Sequence, residues 1–100
     1  MKIKLIEKDS RRGAYDLPQT RILIDHSDFG RILISEGFGG GSVEGQCYRF
    51  RHGIALQVPA TATLDGLDAE EDRFGGPLSE IYPALEWSGA TLQRIARKHF

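Results

Sequence analysis

Two identical apolar triplets, Ile22-Leu23-Ile24 and Ile32-Leu33-Ile34, flank a short polar link, His26-Ser27-Asp28-Phe29-Gly30. Each triplet sits in a strand-like run, Thr20–Asp25 and Arg31–Ser35. Successive side chains of a strand point to opposite faces, so three apolar residues in a row need cover on both sides. The link suits a turn: Ser27 and Asp28 can bond backbone amides, and Gly30 tolerates a positive φ. The pattern predicts a β-hairpin inside a sheet covered on both faces. One helical layer covers one face only. Either a second helix crosses behind, or a second copy of the chain covers the rest as a homodimer.

Around this hairpin the signals are weaker. Lys2-Ile3-Lys4-Leu5 alternates and predicts a strand with one wet face. Ser10-Arg11-Arg12-Gly13 reads as a turn, and Pro18 speaks against a central strand at 14–18. Residues 36–46 carry Gly37, Gly39, Gly40, Gly41 and Gly45 and predict a loop. Cys47–Arg51 and Ile54–Val58 alternate on either side of a His52-Gly53 turn, and Pro59 closes the second run. Leu64, Leu67 and Phe74 fall at helical spacing, with Asp65, Asp68 and Asp72 on a different face. Gly66 weakens that helix, and Gly75-Gly76-Pro77 ends it. A short strand is expected over Ala84–Trp87. A last helix follows Ser88 with Leu92, Ile95, Ala96 and Phe100 as its apolar stripe; Arg94, Arg97 and Lys98 lie in its later turns. The expectation is one α+β domain over residues 1–100. It has about five mostly antiparallel strands and one or two helices packed on the sheet, the C-terminal helix included.

Composition narrows the function classes. The chain of 100 residues is 40% hydrophobic and 27% charged, which argues against disorder, collagen and coiled coil. No apolar run approaches the ~20 residues of a membrane-spanning helix. Thirteen basic and fourteen acidic side chains give a formal charge of −1, so nucleic acid is not the expected partner. The charge is uneven: residues 1–56 carry +2, residues 57–91 carry −6, and residues 92–100 add three basic groups. Cys47 is the only cysteine, so no intramolecular disulfide forms. Charges interrupt Met1–Lys8 as no signal peptide allows. A reducing cytoplasm is the expected compartment.

Chemistry-bearing motifs are sparse. Gly37-Phe38-Gly39-Gly40-Gly41-Ser42 has the glycines of a phosphate loop but neither its lysine nor a following helix. A flexible strand connection is the simpler reading. Five glycines in the same stretch also argue against an aromatic RNA-recognition strand at Phe38. His26, Cys47, His52 and His99 lack metal-ligand spacing, so no metal and no cofactor are expected. Cys47 opens a core-like strand and reads as buried rather than nucleophilic. Ser42, His26 and Asp25 or Asp28 have no nucleophile elbow to organise them. No catalytic residue is assigned.

Two charged groups remain as candidate partner-binding residues. Asp65, Asp68, Glu70, Glu71 and Asp72 form an acidic helix face, which is either simply solvated or docks a basic partner. Lys2 and Lys4 share one strand face, as do Arg49 and Arg51, and neighbouring strands would merge them into a basic patch. The expected function is a small non-enzymatic protein-binding module: an adaptor, inhibitor or accessory subunit. Antagonists from phages and mobile elements, anti-CRISPR-type proteins among them, are often chains of this kind. The alternative is a small-ligand-binding or enzymatic domain that uses the Gly37–Gly45 loop, working as an oligomer.

Overall fold

The computed structural model describes residues 2–12, 18–36 and 54–85, together with Thr91, Arg94, Ile95, Lys98 and His99. Strands β1 (Ile3–Arg12), β2 (Pro18–His26), β3 (Gly30–Glu36) and β4 (Ile54–Gln57) form one antiparallel sheet in the order β1-β2-β3-β4. Helix α1 (Leu64–Phe74) and a single 3-10 turn (Leu78–Glu80) follow. The architecture is α+β.

The hairpin predicted from the triplets is β2–β3. Ile22 pairs with Ile34, Leu23 with Leu33 and Ile24 with Ile32. His26 pairs with Gly30, whose φ of 72° is a left-handed conformation that glycine takes without strain. Alternation sends the leucines one way and the isoleucines the other. Leu23, Leu33 and Leu56 meet Val58, Leu64, Leu67 and Leu78 on the face that carries α1. Ile22, Ile24, Ile32, Ile34 and Ala55 meet Ile95 on the opposite face, with Ile3 and Leu85 at their margin. Both faces of the central strands are therefore covered within the chain. Thr91, Arg94, Ile95, Lys98 and His99 have helical backbone, so among the described residues the cover behind the sheet includes a helical residue near the end of the sequence.

β1 is longer than its first four residues suggested. Ser10, Arg11 and Arg12, expected in a turn, continue the strand and pair with Thr20, Gln19 and Pro18. Pro18 is tolerated because it is the first residue of β2, where a missing N–H costs least. The register shifts between Leu5 and Glu7. Leu5 is opposite Ile24 and Glu7 opposite Leu23, so Ile6 is the extra residue of a β-bulge. The bulge reverses the phase of β1: Lys4 shares a face with Asp25 before it, while Glu7 and Asp9 share that face after it, beside Leu23 and Arg21. Ile6 packs against the leucine core.

Three further expectations need correction. Four strands are present among the described residues instead of about five, and Cys47–Arg51 lies outside those residues. Of the strand expected over Ala84–Trp87, Glu86 and Trp87 lie outside the described residues, and Ala84 forms a single bridge to Leu56, flanked by bonds from the Gln57 amide to the Pro83 carbonyl (2.9 Å) and from the Leu85 amide to the Ala55 carbonyl (2.8 Å). Pro83 has no N–H to extend that ladder. Phe74, placed on the apolar stripe of the helix, is 60% exposed. Leu64 and Leu67 of the same stripe are buried. Phe74 lies ten residues beyond Leu64, about 15 Å along the axis, past the leucine core.

Candidate functional site

The charged residues singled out in the sequence divide into a seam inside the fold and two surfaces outside it. The seam holds α1 on the sheet. Arg21, 2% exposed, lies on the face beneath the helix. It donates from Nε and Nη2 to the Asp9 carboxylate at 2.9 and 2.5 Å, and from Nη1 to Asp68 Oδ1 at 2.7 Å. Burial opposes the charge on Arg21, but the bonds to Asp9 and Asp68 outweigh it and raise its pKa. Arg11 reaches Asp68 at 3.1 Å and Glu71 at 3.7 Å. Glu7 accepts from the Leu64 amide at 2.9 Å, a carboxylate at the positive end of the helix dipole. The Tyr82 hydroxyl donates to Glu70, which drives its pKa up to about 12. These contacts place Leu64 beside Glu7 and Glu71 beside Arg11, so α1 runs along β1 in the same direction.

The acidic face of the helix is thus only partly a solvated face. Asp68, Glu70 and Glu71 are engaged inside the molecule. Asp65 and Asp72 are exposed. Beside Asp72, exposed Phe74 carries the Arg73 guanidinium over its ring at 5.1 Å from the centroid. The carboxylate of Glu80 lies against Gly76, just past the helix end. The sequence showed the acids but not this aromatic, because helical spacing assigned Phe74 to the core.

The second surface is at the other end of the sheet. Lys2, Ile3, Lys4, Asp25, His26, Ser27 and Lys98 line an open cavity of about 600 Å³. Arg31 forks onto Asp25 at 2.8 and 3.1 Å, and that bond holds the Asp25 carboxyl below its ordinary pKa. His26 is buried, its Nδ1 accepts from the Asp28 amide at 3.0 Å, and its ring centroid is 4.8 Å from that of Phe29. Asp25 and His26 are successive strand residues on opposite faces, which dissolves a His26–Asp25 catalytic pair. Lys98 joins Lys2 and Lys4, a convergence that no local spacing announces. Arg49, Arg51, Ser42, Cys47, His52 and the Gly37–Gly45 loop lie outside the described residues.

Comparison with protein families, with curated proteins and with solved structures finds no match to this chain. Its function therefore has to be argued from its own surfaces. Among the described residues no three His, Cys, Asp or Glu side chains are grouped to hold a metal ion. Among them, too, no helix is long and apolar enough to cross a membrane.

Proposed function

We propose that this chain is a small non-enzymatic protein-binding module, an adaptor, inhibitor or accessory subunit, that docks a basic partner on the outer face of α1. The observation that carries the reading is Phe74, a large apolar side chain 60% exposed beside exposed Asp72. A rigid aromatic within a charged rim is the usual form of a binding anchor. Asp65 and Asp72 supply charge complementary to a basic surface, in the segment that carries the −6 excess. Asp68, Glu70 and Glu71 take part indirectly, by holding the helix in place. The binding unit we propose is a monomer, because Ile95 covers the sheet face that a second copy would otherwise occupy. Cys47, the only cysteine, suits a cytoplasmic setting.

The test is capture from nuclease-treated native extract by three baits: wild type, Phe74→Ala, and the double variant Asp65→Lys with Asp72→Lys. A stoichiometric partner with a basic contact surface, retained by wild type and lost by both variants at unchanged melting temperature, is expected. Equal capture by all three baits would sink the docking face. Light scattering that shows a dimer would discard the monomeric unit.

A further inference from the structure

We propose that the cavity at the open end of the β1–β2 pair is a binding site for a small phosphorylated ligand. The site is separate from the α1 face: the cavity precedes Glu7 along β1, whereas Phe74 lies beyond the level of Arg11.

Charge is the first argument. Three lysines, Lys2, Lys4 and Lys98, line one cavity on a chain whose formal charge is −1. The one carboxylate in the lining, Asp25, is shared between the fork of Arg31 and the charge of Lys4, so a single carboxylate stands against three lysines and an arginine. A second basic zone adjoins: the charges of Lys98 and Lys8 both act on His99, and after burial they are what lowers its pKa. Like charges gathered at this density are unfavourable without a counter-charge. Lysines act as mobile point charges with several donors each, the form in which they commonly hold phosphate.

Rigidity and size are the second. The Ser27 amide donates to the Lys2 carbonyl at 3.0 Å, and the Lys2 amide donates to Ser27 Oγ at 3.1 Å, so the rim is tied across the two strands. His26 forms part of the wall with its ring fixed by Asp28, which leaves the ring proton of the neutral form on Nε2. The tied strand ends form a preformed frame for the three exposed lysine side chains, which limits the ordering cost of binding. A volume of about 600 Å³ exceeds what a bare phosphate fills and matches a small ligand. The dianionic phosphoryl group meets the lysines, and the body of the ligand has Ile3 and His26 to lie against.

The experiment is an amide-resolved NMR titration of the full chain with inorganic pyrophosphate, then with a nucleoside monophosphate. Saturable shifts at Lys2–Lys4, Asp25–Ser27 and Lys98, with a Kd below about 1 mM, are expected. Lys4→Gln and Lys98→Gln should each weaken binding about tenfold, the loss of one charge-assisted contact. All three lysines are exposed, so the variants should keep the wild-type melting temperature. No saturable shift from either ligand, or shifts unaffected by both substitutions, would overturn the site. A glutamate hexapeptide that shifts the same amides as tightly as pyrophosphate would overturn the phosphate assignment and reveal a general acidic-peptide surface. None of these outcomes depends on partner capture at Phe74.

Discussion

Arg21 shows what one buried cation does to a small sheet. Its guanidinium bridges Asp9 on the neighbouring strand and Asp68 on the helix. Both carboxylates remain partly exposed, at 36%. If Arg21 is lost, they can rehydrate, so the damage should fall short of a fully buried pair. Arg21→Met should cost about 2–3 kcal/mol in urea denaturation, below the 3–5 kcal/mol of breaking a fully buried pair. Arg21→Lys keeps the charge but not the fork and should cost about 1 kcal/mol. A double-mutant cycle of Arg21→Met with Asp68→Asn should give a coupling energy above about 1 kcal/mol; a coupling near zero would mean that the contact holds nothing together. The need for this seam was legible in part. A cation adjoining Ile22 in a strand covered on both faces requires carboxylates. Which ones was not legible: Asp9 is set by strand register, and Asp68 lies 47 residues away. Lys98 beside Lys2 and Lys4 escaped for the same reason, since the contact is made across the fold.

At the scale of the element, α1 is bounded by local chemistry. Thr63 caps its N-terminus, its hydroxyl accepting from the Gly66 amide at 3.0 Å, and Gly75 ends it at φ 69° with its amide on the Glu71 carbonyl. Gly75→Ala places a side chain in the left-handed region and should cost about 1 kcal/mol, or roughly 4–8 °C in Tm for a domain this size. A cavity-free surface position, with nothing within 4 Å of the added carbon, leaves backbone strain as the only cause. An unchanged Tm would show that the helix end frays in solution. Gly75-Gly76-Pro77 made this stop readable, and Leu64 and Leu67 made the inner face readable. Phe74 was misread because angular position says nothing of how far the sheet extends beneath a helix. β1 was read short for a related reason: alternation breaks at Leu5-Ile6, and a bulge restores it in the opposite phase.

For the whole molecule, two of the described groups shape stability at its alkaline and mildly acidic ends, Tyr82 and His99. Tyr82 titrates near 12 in the fold against an ordinary value near 10, because its hydroxyl donates to Glu70. The unfolded chain loses this proton first, so the contribution is complete below pH 10 and vanishes between pH 10 and 12. His99 has the opposite sense: burial disfavours its charged form, so stability falls as pH drops below about 6.5. Thermal melts against pH should show both limbs, and Tyr82→Phe should flatten the alkaline one; an alkaline limb identical to wild type would remove Tyr82 as its source. The sheet that these groups frame also has a history built into its order. Each strand pairs with its sequence neighbour, and the β2–β3 hairpin is complete at Glu36. Its covers come later: the leucine side waits for Leu64 and Leu67, and the isoleucine side waits for Ile95. On the ribosome, the nascent chain therefore carries two uncovered aliphatic strands from the completion of β3 at Glu36 until Leu64 and Leu67, and later Ile95, have been made and have emerged. The completed protein hides its stickiest surface on both sides, while the growing one exposes it to chaperones and to other nascent chains.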